Sequence, residues 1–160
     1  MINPAAALLM LVVGSCSAVA ADAAGKVRAG NGAESGSSFT TAPVSQQMKI
    51  TVGSQVFNAT LENNKTAAAF RALLPLTLVM HDVNDNEKAF DLPSRLASAD
   101  VNPRAIRNGD LMLWSSRTVV LFYKSFSTPY SYTRLGRLDD PEGLAAAAGT
   151  GDVTVKFELQ

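Results

Sequence analysis

The chain has 160 residues, 14 basic and 14 acidic side chains, a single cysteine and a single histidine. That inventory rules out an internal disulfide and a cysteine/histidine metal site. Without a basic block or stripe there is no footprint for a phosphate backbone, so nucleic acid is not an expected partner.

The first element is a leader. Ala5 to Val13 is an apolar run of signal-peptide length, shorter than the about 20 helical residues that cross a bilayer. Val13-Gly14-Ser15-Cys16 reads as a bacterial lipoprotein box, with a branched apolar residue, two small ones and the thiol that takes a diacylglycerol. On that reading residues 1–15 are a lipoprotein-type signal peptide and the mature chain starts at a lipidated Cys16. Two alternatives stay open. Ordinary secretion would cleave after Ala18-Val19-Ala20 and discard Cys16, and an uncleaved segment would keep it. The start Met1-Ile2-Asn3-Pro4 is atypical of a signal peptide, having no Lys or Arg.

Residues 16–45 form the expected flexible linker, rich in Ala, Gly and Ser with Phe39 as its lone aromatic. Such a composition buries too little apolar area to offset the cost of ordering the chain. As a coil it spans on the order of 30 Å. The expected location is outside the cytosol, lipid-anchored to the bacterial cell envelope or periplasmic/secreted, with membrane contact through the lipid anchor only.

Residues 46–160 are long enough for one core and one domain. Met48, Ile50 and Val52 alternate with Lys49 and Thr51, the pattern of a half-buried strand. Gly53-Ser54 is a glycine-first hairpin turn, and the return strand points Phe57, Ala59 and Leu61 inward. Asn63 or Asn64 caps a helix through Leu74 with a stripe of Ala67, Phe70, Leu73 and Leu74, and Pro75 stops it. Leu76 to His81 is a strand, Val83 to Asn86 a turn, and Lys88 to Leu92 the return. Pro93 to Asn108 has no clean period.

Asp110 to Phe126 carries the strongest β signal. Leu111 and Leu113 alternate with Met112 and Trp114, Ser115-Ser116-Arg117 turns, and Thr118 to Tyr123 is apolar on both faces. A strand of that kind is covered on both sides, as in a closed barrel with a helix packed outside. Tyr130 to Leu138 is a further strand, Asp140-Pro141-Glu142 opens a helix that Gly149 ends, and Val153 to Leu159 alternates once more. The pattern predicts a mainly β domain, a closed barrel of seven to eight strands with two short helices, because so many short strands leave open edges unless the sheet closes.

The run Asn108-Gly109-Asp110-Leu111-Met112-Leu113-Trp114, with Val119 to Tyr123, resembles the bacterial cyclophilin-like domain family. Ser131 to Asp139 is similar to it as well, as are Thr66 to Phe70, Leu73-Leu74-Pro75 and Glu87-Lys88. The resemblance runs in order over nearly all of Met48 to Glu158 and implies a closed cyclophilin-like β-barrel plugged by helices. Prolyl isomerases of the cyclophilin class carry a Phe-Met-x-Gln-Gly-Gly segment beside an arginine. This chain has no such run, so no catalytic residue is carried over.

His81 beside Asp82 is not accompanied by a Gly-x-Ser-x-Gly elbow and reads as a solvated hairpin-end residue. Asp82 to Glu87 superficially suits a calcium loop, but Glu87 stands where glycine is needed and Pro93 where the bidentate acid belongs, so a turn is the better reading and no metal is expected. The aromatic-basic cluster is more informative. Tyr123, Phe126, Tyr130, Tyr132 and Arg134 lie close together, with Pro129 bending the chain. They could form a groove for an extended peptide or a small carboxylate ligand, or a cross-strand aromatic set with an arginine covering the barrel wall. Trp114 and Met112 could line the same surface, but core packing is the expectation for both. The expectation is an envelope-tethered, non-enzymatic module binding a peptide segment or small ligand, with no cofactor. The alternatives are a weak peptidyl-prolyl cis/trans isomerase and a purely structural partner of another envelope protein.

Overall fold

The computed structural model describes residues 45–160. The expectations for the signal segment, for lipidation at Cys16 and for the linker up to residue 44 lie outside the described residues. Eight antiparallel strands close into a barrel: β1 (Gln47–Val52), β2 (Gln55–Leu61), β3 (Leu76–Val83), β4 (Glu87–Asp91), β6 (Asp110–Trp114), β7 (Thr118–Phe122), β9 (Thr133–Leu138) and β10 (Val153–Leu159). Around the barrel the order is β1-β10-β3-β4-β7-β6-β9-β2. The short strands β5 (Ala105–Ile106) and β8 (Phe126–Ser127) pair with each other as a separate ribbon, and two helices, α1 (Lys65–Arg71) and α2 (Leu144–Ala148), complete the elements.

The alternation of the sequence maps directly onto the wall. Met48, Ile50, Val52, Phe57, Ala59, Leu61, Leu78, Met80, Leu111, Leu113, Val155 and Phe157 point inward and are buried. Apart from Ala59, each such side chain contributes about 1.5–3 kcal/mol on leaving water. Helix α1 is capped by the Asn64 side chain, which accepts from the Ala67 amide at 2.8 Å, and it inserts Phe70 edge-on against Phe157. The tight turns follow the residues that tolerate left-handed backbone. Gly53 alone has positive φ in its turn, whereas both Asn84-Asp85 and Ser115-Ser116 have positive φ at their two central positions.

Four local expectations need correction. Helix α1 ends at Arg71, and Leu73 is 41% exposed, so the apolar stripe is shorter than the periodicity implied. Helix α2 begins at Leu144 behind Gly143, while Asp140 caps only a preceding turn by accepting from the Glu142 amide. The outward side of β7 is covered not by a helix but by the β5–β8 ribbon and Tyr132. Met112, Val120, Phe122, Ile106 and Tyr132 form a second buried cluster there, with Tyr132 edge-on to Phe122. Ribbon and cover both come from stretches of weak periodicity, which is why they were not legible. Finally, Trp114 is 47% exposed and not in the core.

A bulge between β6 and β9 has a lasting effect on the surface. Leu111 pairs with Gly136, but the next residue, Met112, pairs with Arg134. One extra residue on β9 lets Arg134 and Arg137, three apart, share the outer face instead of pointing to opposite sides.

Candidate functional site

On the outside of the barrel, the outward faces of β3, β4 and β7 and the segment from Phe126 to Tyr132 enclose a groove of about 710 Å³. Its floor comes from alternate residues of the wall: His81 and Val83 on β3, Glu87, Ala89 and Asp91 on β4, and Thr118 and Val120 on β7. Pairing brings His81 opposite Ala89 and Val83 opposite Glu87, and Ala89 opposite Val120, so the floor is continuous across the three strands. The side walls are aromatic: Trp114 at the end of β6, then Phe126, Tyr130 and Tyr132. Thr128 helps shape the Pro129 bend, its hydroxyl accepting from the Tyr130 amide, while Asn102 Nδ2 donates to the Pro129 carbonyl.

Of the five side chains singled out in the sequence, Phe126, Tyr130 and Tyr132 line this groove. Tyr123 lies on the opposite side of the wall, buried in the barrel core. Arg134 lines an adjacent groove of about 680 Å³ beyond Tyr132, together with Asn64, Ser98 and Val101. There it stands 3.8 Å from Asp110 Oδ1, with Arg137 on the same carboxylate at 3.7 Å. Asp110 is fully buried and its other oxygen accepts from the Arg107 amide. Arg134 thus offsets a buried charge in the wall.

The titratable residues lining the aromatic groove are therefore acids, the histidine and tyrosines. Among the described residues, no lysine or arginine lines it. The Glu87 carboxyl is pushed up to about 7, first by burial and then by the negative charge of Asp82. Asn86, next to it, holds a buried Oδ1 with no hydrogen-bond partner. Asp91 accepts from the Thr118 hydroxyl. Burial also raises Tyr132. His81 is solvent-facing and meets Asp152 through Nδ1 at 2.9 Å.

A second polar constellation lies inside the barrel. Lys88 is fully buried, and its Nζ donates to Asp82 Oδ2, to the Gly149 carbonyl at 3.0 Å and to the Gly151 carbonyl at 2.6 Å. Tyr123 donates its hydroxyl to the same Asp82 oxygen at 2.9 Å, and its ring lies 5.4 Å from the Lys88 ammonium. The Lys88 hydrogen bond holds Asp82 below the usual carboxylate range, and burial followed by the bond to Asp82 pushes Tyr123 up to about 12. With Asp82 engaged in this way, Asn84-Asp85 acts as a hairpin turn, and no group of three or more His, Cys, Asp and Glu among the described residues is placed to hold a metal ion.

The sequence offered a signal for Lys88 that the alternation alone carries. Lys88 is in phase with Phe90 and Leu92, which face the interior. The sequence places Asn86 and Glu87 in a turn and Trp114 in the core; strand pairing from β4 through β7 to β6, together with the Phe126–Tyr132 segment, brings them to one groove.

A family model described as the Cyclophilin-like family matches residues 50–158. Among solved structures, the fold is similar to the solution structure of the hypothetical protein AF2241 from Archaeoglobus fulgidus. That likeness has a TM-score of 0.51 at 20% identity, over 73% of this chain and 96% of the other. No curated protein matches.

Proposed function

This chain belongs to the cyclophilin-like family, and on that premise we propose that its barrel is a non-enzymatic module that seats an extended peptide segment or small ligand in the aromatic groove. The observation that carries this reading is the groove itself. Its volume of about 710 Å³ lies within the ~300–1,000 Å³ of ordinary ligand sites. Trp114 and Tyr130 remain 47% and 62% exposed along it, and amphipathic aromatics left open beside a concave surface are the side chains that carry binding energy. The proposed setting is the cell envelope, with Cys16 lipidated and residues 16–45 as tether, on the strength of the Val13-Gly14-Ser15-Cys16 run.

Trp114 is the only tryptophan of the chain, so its fluorescence reports directly on the groove. Titration of the full chain with a peptide library should give saturable quenching, and Tyr130→Ala with Tyr132→Ala should weaken the best binder about tenfold by calorimetry. Unchanged affinity in both variants removes this groove as the site. Turnover of proline-containing peptides above background in a protease-coupled assay would replace the module with an isomerase.

A further inference from the structure

We infer that the groove selects a peptide segment bearing a cationic side chain, lysine or arginine, flanked by apolar residues, with Glu87 as the residue that determines this specificity. The inference rests on the groove being a binding site and adds the chemistry of its occupant. Three independent features of the lining agree. First, its charge is one-sided: Glu87 and Asp91 lie on the floor, and no lysine or arginine lines it among the described residues. Second, the Glu87 carboxylate is partly buried and takes part in none of the side-chain hydrogen bonds or ion pairs of the described residues. The buried Asn86 Oδ1 beside it is also unpartnered. A half-buried carboxylate that no donor of the protein engages is open to pairing with an ammonium or guanidinium that enters the groove. Third, Trp114, Phe126, Tyr130 and Tyr132 surround that floor, and aromatic faces attract cations through their quadrupoles. Acid plus aromatic walls favours a cation with an apolar stem over a carboxylate, which Glu87 would repel.

The groups facing Glu87 fit this picture. Asp82 on the preceding strand adds negative potential at Glu87, His81 and Asp91 lie along the groove, and Tyr132 faces it across the cleft. Lys88, the nearest cation in sequence, points into the barrel and is committed to Asp82 and two carbonyls. It does not line the groove.

The test uses the full chain at pH 8 and low salt, with Trp114 fluorescence as readout. The probes are acetylated, amidated Ala-Phe-Lys-Phe-Ala and its variants with norleucine or glutamate in place of lysine. The expected result is that the lysine peptide binds about tenfold more tightly than the norleucine peptide, with the glutamate peptide weakest. In Glu87→Gln the lysine-to-norleucine ratio should fall to about one. Equal binding of all three peptides by the unaltered chain would overturn the cation preference while leaving the groove as a ligand site. Binding of none would remove the groove reading and the inference together.

Discussion

Lys88→Met tests whether the interior of the barrel is held by a buried ion pair. Methionine keeps the aliphatic stem and most of the volume, so the loss is polar and not a cavity. Removing the ammonium leaves Asp82 with only the Tyr123 hydroxyl and the Asp85 amide, and orphans the Gly149 and Gly151 carbonyls. Breaking a buried pair from one side costs about 3–5 kcal/mol. Asp82 retains 14% side-chain exposure, so solvent shields the stranded charge and the lower end, about 3 kcal/mol, is expected. With a urea m-value of about 1.5 kcal/mol per molar, the unfolding midpoint should fall by about 2 M. The double variant Lys88→Met with Asp82→Asn removes the stranded charge but leaves the two carbonyls unpaired, so about half the loss should return. A single-variant loss below about 1 kcal/mol, or a double variant no better than the single, would refute the reasoning.

Asp82 and Glu87 predict opposite pH behaviour. Asp82 is depressed below its ordinary value, so its contribution is present above the normal carboxylate range and is lost as pH falls through the lowered value. Glu87 is raised to about 7, so its contribution is present in acid and is lost as pH rises through 7. Glu87→Gln should therefore stabilise the chain above pH 7 by about 1–2 kcal/mol, allowing for solvent screening, and do nothing at pH 4; urea melts at both pH values check this. Gly136→Ala would place a Cβ 2.6 Å from the Thr60 carbonyl and 3.1 Å from Leu61 Cα, both backbone atoms that cannot swing away. A loss of about 2–3 kcal/mol in thermal or urea unfolding is expected. Cys16→Ser should move the protein from the membrane fraction to the soluble fraction, with mass spectrometry showing an acylated Cys16 only in the unaltered chain.

Much of the barrel was legible because a strand with one buried face must alternate. Met48 to Val52, Phe57 to Leu61 and Val153 to Leu159 show period two so cleanly that the facing of each residue follows from it. Turns were legible where Gly, Asn or Asp supplies positive φ. Trp114 was misplaced by the expectation of core packing, not by alternation. Alternation put it on the outer face with Met112, but only the ribbon decides that Met112 is covered while Trp114, at the strand end, is left open.

The candidate site was half legible. Clustering along the chain flagged Phe126, Tyr130 and Tyr132, which do share a wall, but adjacency in sequence also drew in Tyr123 and Arg134, which do not. Tyr123 continues the parity of Leu121 into the core, and Arg134 is turned by a bulge toward Asp110.

Sequence by itself pointed to seven or eight strands, to most inward residues of the barrel and to the closed mainly β architecture, because these depend on local periodicity and on the need to pair edges; the β5–β8 ribbon lay outside that pattern. Tertiary structure alone decided the sign of the groove. Glu87 and Asn86 come from one hairpin, Trp114 from another and Tyr130 from a loop. Their convergence depends on which strands neighbour each other after closure, a long-range pairing that no local pattern encodes.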